Sequence, residues 1–120
     1  MAALRADAYQ ATVESYWHSI IGTPPDHVRD LLMEDLRKTP PETLIGTLEN
    51  LFAFDPVTPL VAYPGPKLSL ITALNETPAS LQTLVPGLAC DRIAGTGHWP
   101  QLEKPDDVNA RLEAFLAGAA

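Results

Sequence analysis

The sequence predicts an α/β protein with a helical region over residues 1–54 and a minimal parallel strand–helix–strand–helix unit over residues 55–120. Together they are expected to form one compact domain. Three observations carry this reading. Apolar residues recur at helical spacing through three early stretches. The texture breaks at Asp55 into DPVTPLVAYPGP, which holds four prolines and a glycine in twelve residues. Beyond it, two short apolar runs bracket a short helical stretch and precede a last amphipathic one.

The first helix is expected around Val13, Tyr16, Trp17, Ile20 and Ile21, with Gly22 as its stop. Thr23-Pro24-Pro25-Asp26 then offers a capping threonine, a proline near the first turn and an acid three along. Val28, Leu31, Leu32 and Leu36 form the apolar face of the second helix. Thr39-Pro40-Pro41-Glu42 repeats that start, and Leu44, Ile45, Leu48, Leu51 and Phe52 supply the third face. The two starts share little beyond the cap, so no solenoid repeat is indicated. The proline-rich stretch from Asp55 reads as a connector, since neither a long helix nor a central strand tolerates it.

KLSLITAL is short and apolar, as a buried strand should be. TPASLQTLV reads as a short helix ended by Pro86-Gly87, and ACDRIAG as the second strand. A strand, a helix and a second strand imply a parallel pair with a right-handed crossover. The final helix opens at Lys104-Pro105-Asp106-Asp107, where proline and acids suit the first turn. Its apolar face is Val108, Leu112, Phe115 and Leu116.

Composition narrows the partners. The formal charge is −7, from 15 acidic against 8 basic residues, and the basic residues are scattered. Such a surface repels phosphate backbones and anionic membranes, so nucleic acid and membrane partners are not expected. The one cysteine, Cys90, excludes an intramolecular disulfide and suits a reducing cytoplasm. It is expected to be a buried, inert thiol. The first seventeen residues lack the pattern of a leader peptide or membrane anchor, and no apolar run approaches the roughly 20 residues of a membrane span. No metal-ligand spacing or cofactor motif occurs, so no metal or cofactor is expected; His18 and His27 are assigned surface or core roles.

The segment Ile93, Gly95-Thr96-Gly97-His98, Glu103-Lys104-Pro105 and the helix through Leu116 resembles the closing segment of α/β-hydrolases. In that family the last strand ends in a small-residue loop carrying the catalytic histidine, followed by Glu-x-Pro and a final helix. FDPVTPLVAYPGPKLSLIT resembles the passage from that family's cap helices into its next-to-last strand. The resemblance covers the C-terminal two-fifths of a usual hydrolase domain. It implies that residues 1–54 are cap-like and that His98 holds the general-base position. It also brings the acid position to Asn75, with Glu76 one residue on. Trp99 is a candidate for lining a substrate pocket or covering the strand ends.

Residue chemistry supports a histidine there independently. A general base must stand beside its nucleophile on a loop free to turn the ring inward, and Gly95 and Gly97 permit a tight turn. The nucleophile elbow, G-x-S-x-G, is absent. Ser15, Ser19, Ser69 and Ser80 all lie outside such a context, and asparagine cannot stabilise an imidazolium by charge. The expected function is that of an α/β-hydrolase-like protein, derived from catalysts that cleaved esters or related carbonyl bonds and incomplete as a catalyst by itself. A second chain would have to supply the nucleophile for a small-molecule ester substrate. The alternative is a non-catalytic binding or oligomerisation module. Two parallel strands cannot close a sheet, so a homodimer is expected.

Overall fold

The computed structural model describes residues 8–119. Residues 1–7, part of the stretch read for a leader or anchor, lie outside the described residues. Contacts divide the chain into two compact units, Met1–Phe54 and Asp55–Ala120. The division falls where the proline-rich stretch begins. Among the described residues, no helix is long and apolar enough to cross a membrane.

The first unit holds α1 (Tyr9–Ile21), α2 (Asp26–Lys38) and α3 (Pro41–Ala53). Val13 and Ile21 of α1, Val28, Leu32, Met33 and Leu36 of α2, and Leu44 of α3 are buried. Val28, Leu32 and Leu36 follow the four-residue helical step, and Met33 flanks them. Leu31, expected on that face, is 46 % exposed because it falls on the opposite flank of the stripe. Leu51 and Phe52, expected on the buried face of α3, are 60 % and 68 % exposed. Arg37 of α2 reaches Glu14 of α1 at 3.3 Å.

The threonine caps expected for α2 and α3 do not form. The residues at the caps are Pro25 and Pro40, and no side chain caps either helix. Each proline's carbonyl serves the first turn directly: Pro25 O accepts from Val28 and Arg29, and Pro40 O from Thr43 and Leu44. Thr39 instead closes α2, its hydroxyl donating to Asp35 O at 2.8 Å. Gly22 does end α1, with φ 73°.

The second unit runs α4 (Val57–Ala62), β1 (Leu68–Ile71), a 3₁₀ turn (Ala73–Asn75), α5 (Leu81–Leu84), β2 (Ala89–Arg92), α6 (Pro100–Glu103) and α7 (Pro105–Ala119). The described residues are therefore mixed α/β, mostly helical, with one two-stranded sheet among them. The connector expected from Asp55 onward contains α4. Pro59 is tolerated there because it sits in the first turn, where an N–H would lack a helical partner. Asp55 fixes the start: its Oδ1 accepts from Val57 N at 2.9 Å, and its Oδ2 from the Thr58 hydroxyl at 2.5 Å. These bonds, the Thr58 hydroxyl's above all, hold the Asp55 carboxyl below its ordinary pKa.

β1 and β2 are parallel, in register Leu68↔Ala89 through Ile71↔Arg92. Ile93 N donates to Ile71 O at 2.9 Å and carries the ladder one bond further. Ile71, Val85, Ile93 and Val108 form the buried centre of this unit, Ile93 with no exposed surface. Arg111 of α7 pairs with Asp91 of β2 at 2.6 Å and pins that helix to the strand.

Two expectations fail at this sheet. Cys90 is exposed rather than buried, on a strand that pairs with β1 alone among the described residues. In α7, Leu112 and Leu116 are 43 % and 65 % exposed, although Val108 on the same stripe is buried.

Candidate functional site

Because β1 and β2 run parallel, the segments that follow them leave from the same edge of the sheet. Asn75 and Glu76 follow β1, and His98 follows β2. Such a carboxyl edge is where open α/β sheets carry their ligand and catalytic loops.

The histidine loop is built by a few directed bonds. Gly95 turns the chain at φ 73°, a conformation that disfavours side chains. Lys104 donates from Nζ to Ala94 O at 2.8 Å, holding the loop's start to the residue after α6. Gly97, buried, donates its N–H to Glu103 Oε2 at 2.7 Å. Of the two glycines expected to make the turn, Gly95 alone is left-handed; Gly97 serves through its amide. His98 is exposed, and its ring meets Trp99 edge to face, with centroids 4.8 Å apart and planes at 83°. Trp99 then supplies the carbonyl that caps α6, accepting from Leu102 and Glu103.

The two acid-position residues are engaged elsewhere. Asn75 Oδ1 accepts the Thr72 N–H at 2.9 Å, and Thr72 Oγ1 in turn accepts from Leu74 N at 3.3 Å. This reciprocal box closes the 3₁₀ turn at the end of β1. The Asn75 carbonyl accepts from the Ser80 hydroxyl and from Gln82 Nε2. Glu76 pairs with Arg92 at 3.1 Å, both side chains about half exposed. Among the described residues, no hydrogen bond joins His98 to Asn75, Glu76 or a serine. The edge thus brings the three residues to one side of the sheet without assembling them into a relay.

Two open clefts of this unit lie elsewhere. One is lined by Leu68, Asp91, Arg111 and Phe115, the other by Leu60, Tyr63, Lys67 and Leu81, and neither is lined by His98 or Trp99. Among the described residues, no cluster of histidine, cysteine and acidic groups is arranged to hold a metal ion.

Glu103 was legible only as part of a motif. Its role as the acceptor for the loop amide depends on α6, a four-residue helix too short to leave a period in the sequence. Searches against protein families, curated proteins and solved structures find no match to this chain.

Proposed function

We propose that this chain is an α/β-hydrolase-like protein in which His98 occupies the general-base position and which does not complete ester hydrolysis by itself. The supporting observation is the histidine loop: it leaves the carboxyl end of a strand parallel to its neighbour and is clasped by Glu103 just ahead of α7. Completion requires a second chain that brings an activated serine and oxyanion donors. His98 would then take the serine hydroxyl's proton as the oxygen attacks an ester carbonyl. It would return that proton to the departing alkoxide as the acyl intermediate forms.

A second reading, a non-catalytic binding or oligomerisation module, draws on the engagement of Asn75 and Glu76 away from His98. The two readings part in one experiment. A panel of short-chain esters is offered to the purified chain and to His98→Ala. On the catalytic reading, whatever hydrolysis the chain supports falls by about 10²–10⁴-fold in the variant if the base is positioned, and less if the ring acts as exposed imidazole alone. Measurable hydrolysis at equal rates in both proteins leaves the module reading.

A further inference from the structure

β1 and β2 differ in exposure although they pair with each other. β1 is half-buried to buried along its length, whereas Ala89, Cys90 and Arg92 of β2 are exposed. Among the described residues β2 pairs with β1 alone, so its other edge carries unpaired backbone groups. The bond from Ile93 N to Ile71 O fixes which groups these are. Residues alternate along a strand, so Ala89, Asp91 and Ile93 direct their amides toward β1. Cys90 and Arg92 direct theirs, and their carbonyls, outward.

We propose that this edge docks a second copy of the chain, β2 against β2 in antiparallel sense about a twofold axis centred on Cys90. The strand's own charges, together with its outward backbone groups, select that register. Pairing about an axis normal to the sheet must centre on a residue, so that facing side chains share a face. Centring on Asp91 sets the two Asp91 carboxylates opposite each other, and centring on Arg92 opposes two guanidinium groups. Like charges directly opposite are destabilising. Centring on Ala89 also opposes no like charges, but it sets the outward groups of Arg92 against Pro86, which has no N–H to donate. Centring on Cys90 opposes no like charges and keeps every outward group paired: Cys90 faces Cys90, Ala89 faces Asp91, and the Arg92 N–H faces the Leu88 carbonyl. It also makes Cys90 a pair that exchanges both backbone bonds, with α-carbons about 5.5 Å apart. The surface is therefore complementary to itself, which a twofold interface requires. The proposal is independent of any catalytic role for His98.

Sedimentation from micromolar to millimolar concentration tests it, together with cross-linking by a short bis-maleimide. Cys90 is the one cysteine, so any thiol–thiol link reports that residue. The expected species has twice the 13.0 kDa chain mass and is captured covalently through Cys90. Arg92→Pro removes an outward N–H without removing a bond to β1, and should weaken association about tenfold or more. Arg92→Ala, which loses the ion pair to Glu76 but keeps the N–H, should still dimerise. Far-UV circular dichroism checks the fold of both variants, and the wild-type cross-link decides the matter if Arg92→Pro does not fold. A monomer at every concentration overturns the proposal. So does a dimer that the reagent fails to link, or one that survives Arg92→Pro with its fold intact.

Discussion

The Gly97 amide and the Glu103 carboxylate meet at 2.7 Å, and this one bond ties the loop that carries His98 to the short helix behind it. Gly97 is buried, and the Glu103 carboxylate is the acceptor its N–H loses if that side chain is removed.

Glu103→Ala should therefore destabilise the chain by about 1–3 kcal/mol, the range for leaving a buried donor unpaired. Glu103→Gln keeps an acceptor oxygen and should cost less. Urea unfolding followed by circular dichroism gives both values. Hydrogen exchange at Gly97 should accelerate in the alanine variant more than in the glutamine variant. Equal costs for the two substitutions would mean that the bond does not carry the loop.

Two glycine-to-alanine changes should move stability in opposite directions. At Gly95 an added Cβ would meet Lys104 Nζ at an ordinary 3.7 Å, so the penalty comes from φ 73° and should be about 1–2 kcal/mol. At Gly46, inside α3, an added Cβ meets nothing within 4 Å. Alanine there should stabilise by about 0.5–1 kcal/mol. Thermal unfolding of the two variants side by side checks the signs.

The start of α4 should respond to acid. Bonding lowers the Asp55 pKa in the folded chain, mainly through the Thr58 hydroxyl. A depressed carboxyl pKa stabilises the fold above the unfolded-state value, and that contribution is lost as pH falls through the folded value. The Val57 and Thr58 amide resonances should shift together in that acid range. Asp55→Asn, which retains an acceptor oxygen but does not titrate there, should abolish the coordinated shift.

A fluorophosphonate should leave every serine unlabelled. The Ser80 hydroxyl donates to Asn75 O and that of Ser19 to Tyr16 O, at 2.6 Å for the latter. An unactivated hydroxyl is a poor nucleophile at neutral pH. Intact-mass spectrometry after prolonged exposure reads the result, and stoichiometric modification of any one serine would count against it.

The sequence shows its long elements clearly because they have period. α1, α2, α3 and α7 each carry enough turns for an apolar stripe, and the parallel strand pair follows from two apolar runs around a helical stretch. The short helices α4 and α6 left no such trace. α4 lay inside a proline-rich segment, where only the position of Pro59 in the first turn makes a helix admissible. Exposure was harder still: Leu31, Leu112 and Cys90 have apolar side chains in periodic segments, yet their burial depends on what covers them. At the site, His98 stood out through its glycine-flanked loop. The tie between Glu103 and Gly97 did not, since it joins a loop to a four-residue helix that share no period. Asn75 was visible as a position after a strand, but its side chain serves the turn that ends β1.

The parallel pairing of β1 and β2 also governs how this unit must fold. A hairpin can zip from its turn, but the first β1–β2 bond has to close the entire crossover through α5. That closure entropy is spent before any sheet contact rewards it, which slows folding. The cluster around Asn75 shortens the search, because Thr72, Ser80 and Gln82 gather the crossover's near end through local bonds. Asn75 is thus placed to act on the rate of folding: removing its side chain, which frees the Thr72 N–H but leaves the Ser80 and Gln82 bonds to its carbonyl, should slow refolding if the turn forms before the strands pair, and speed unfolding if it forms after.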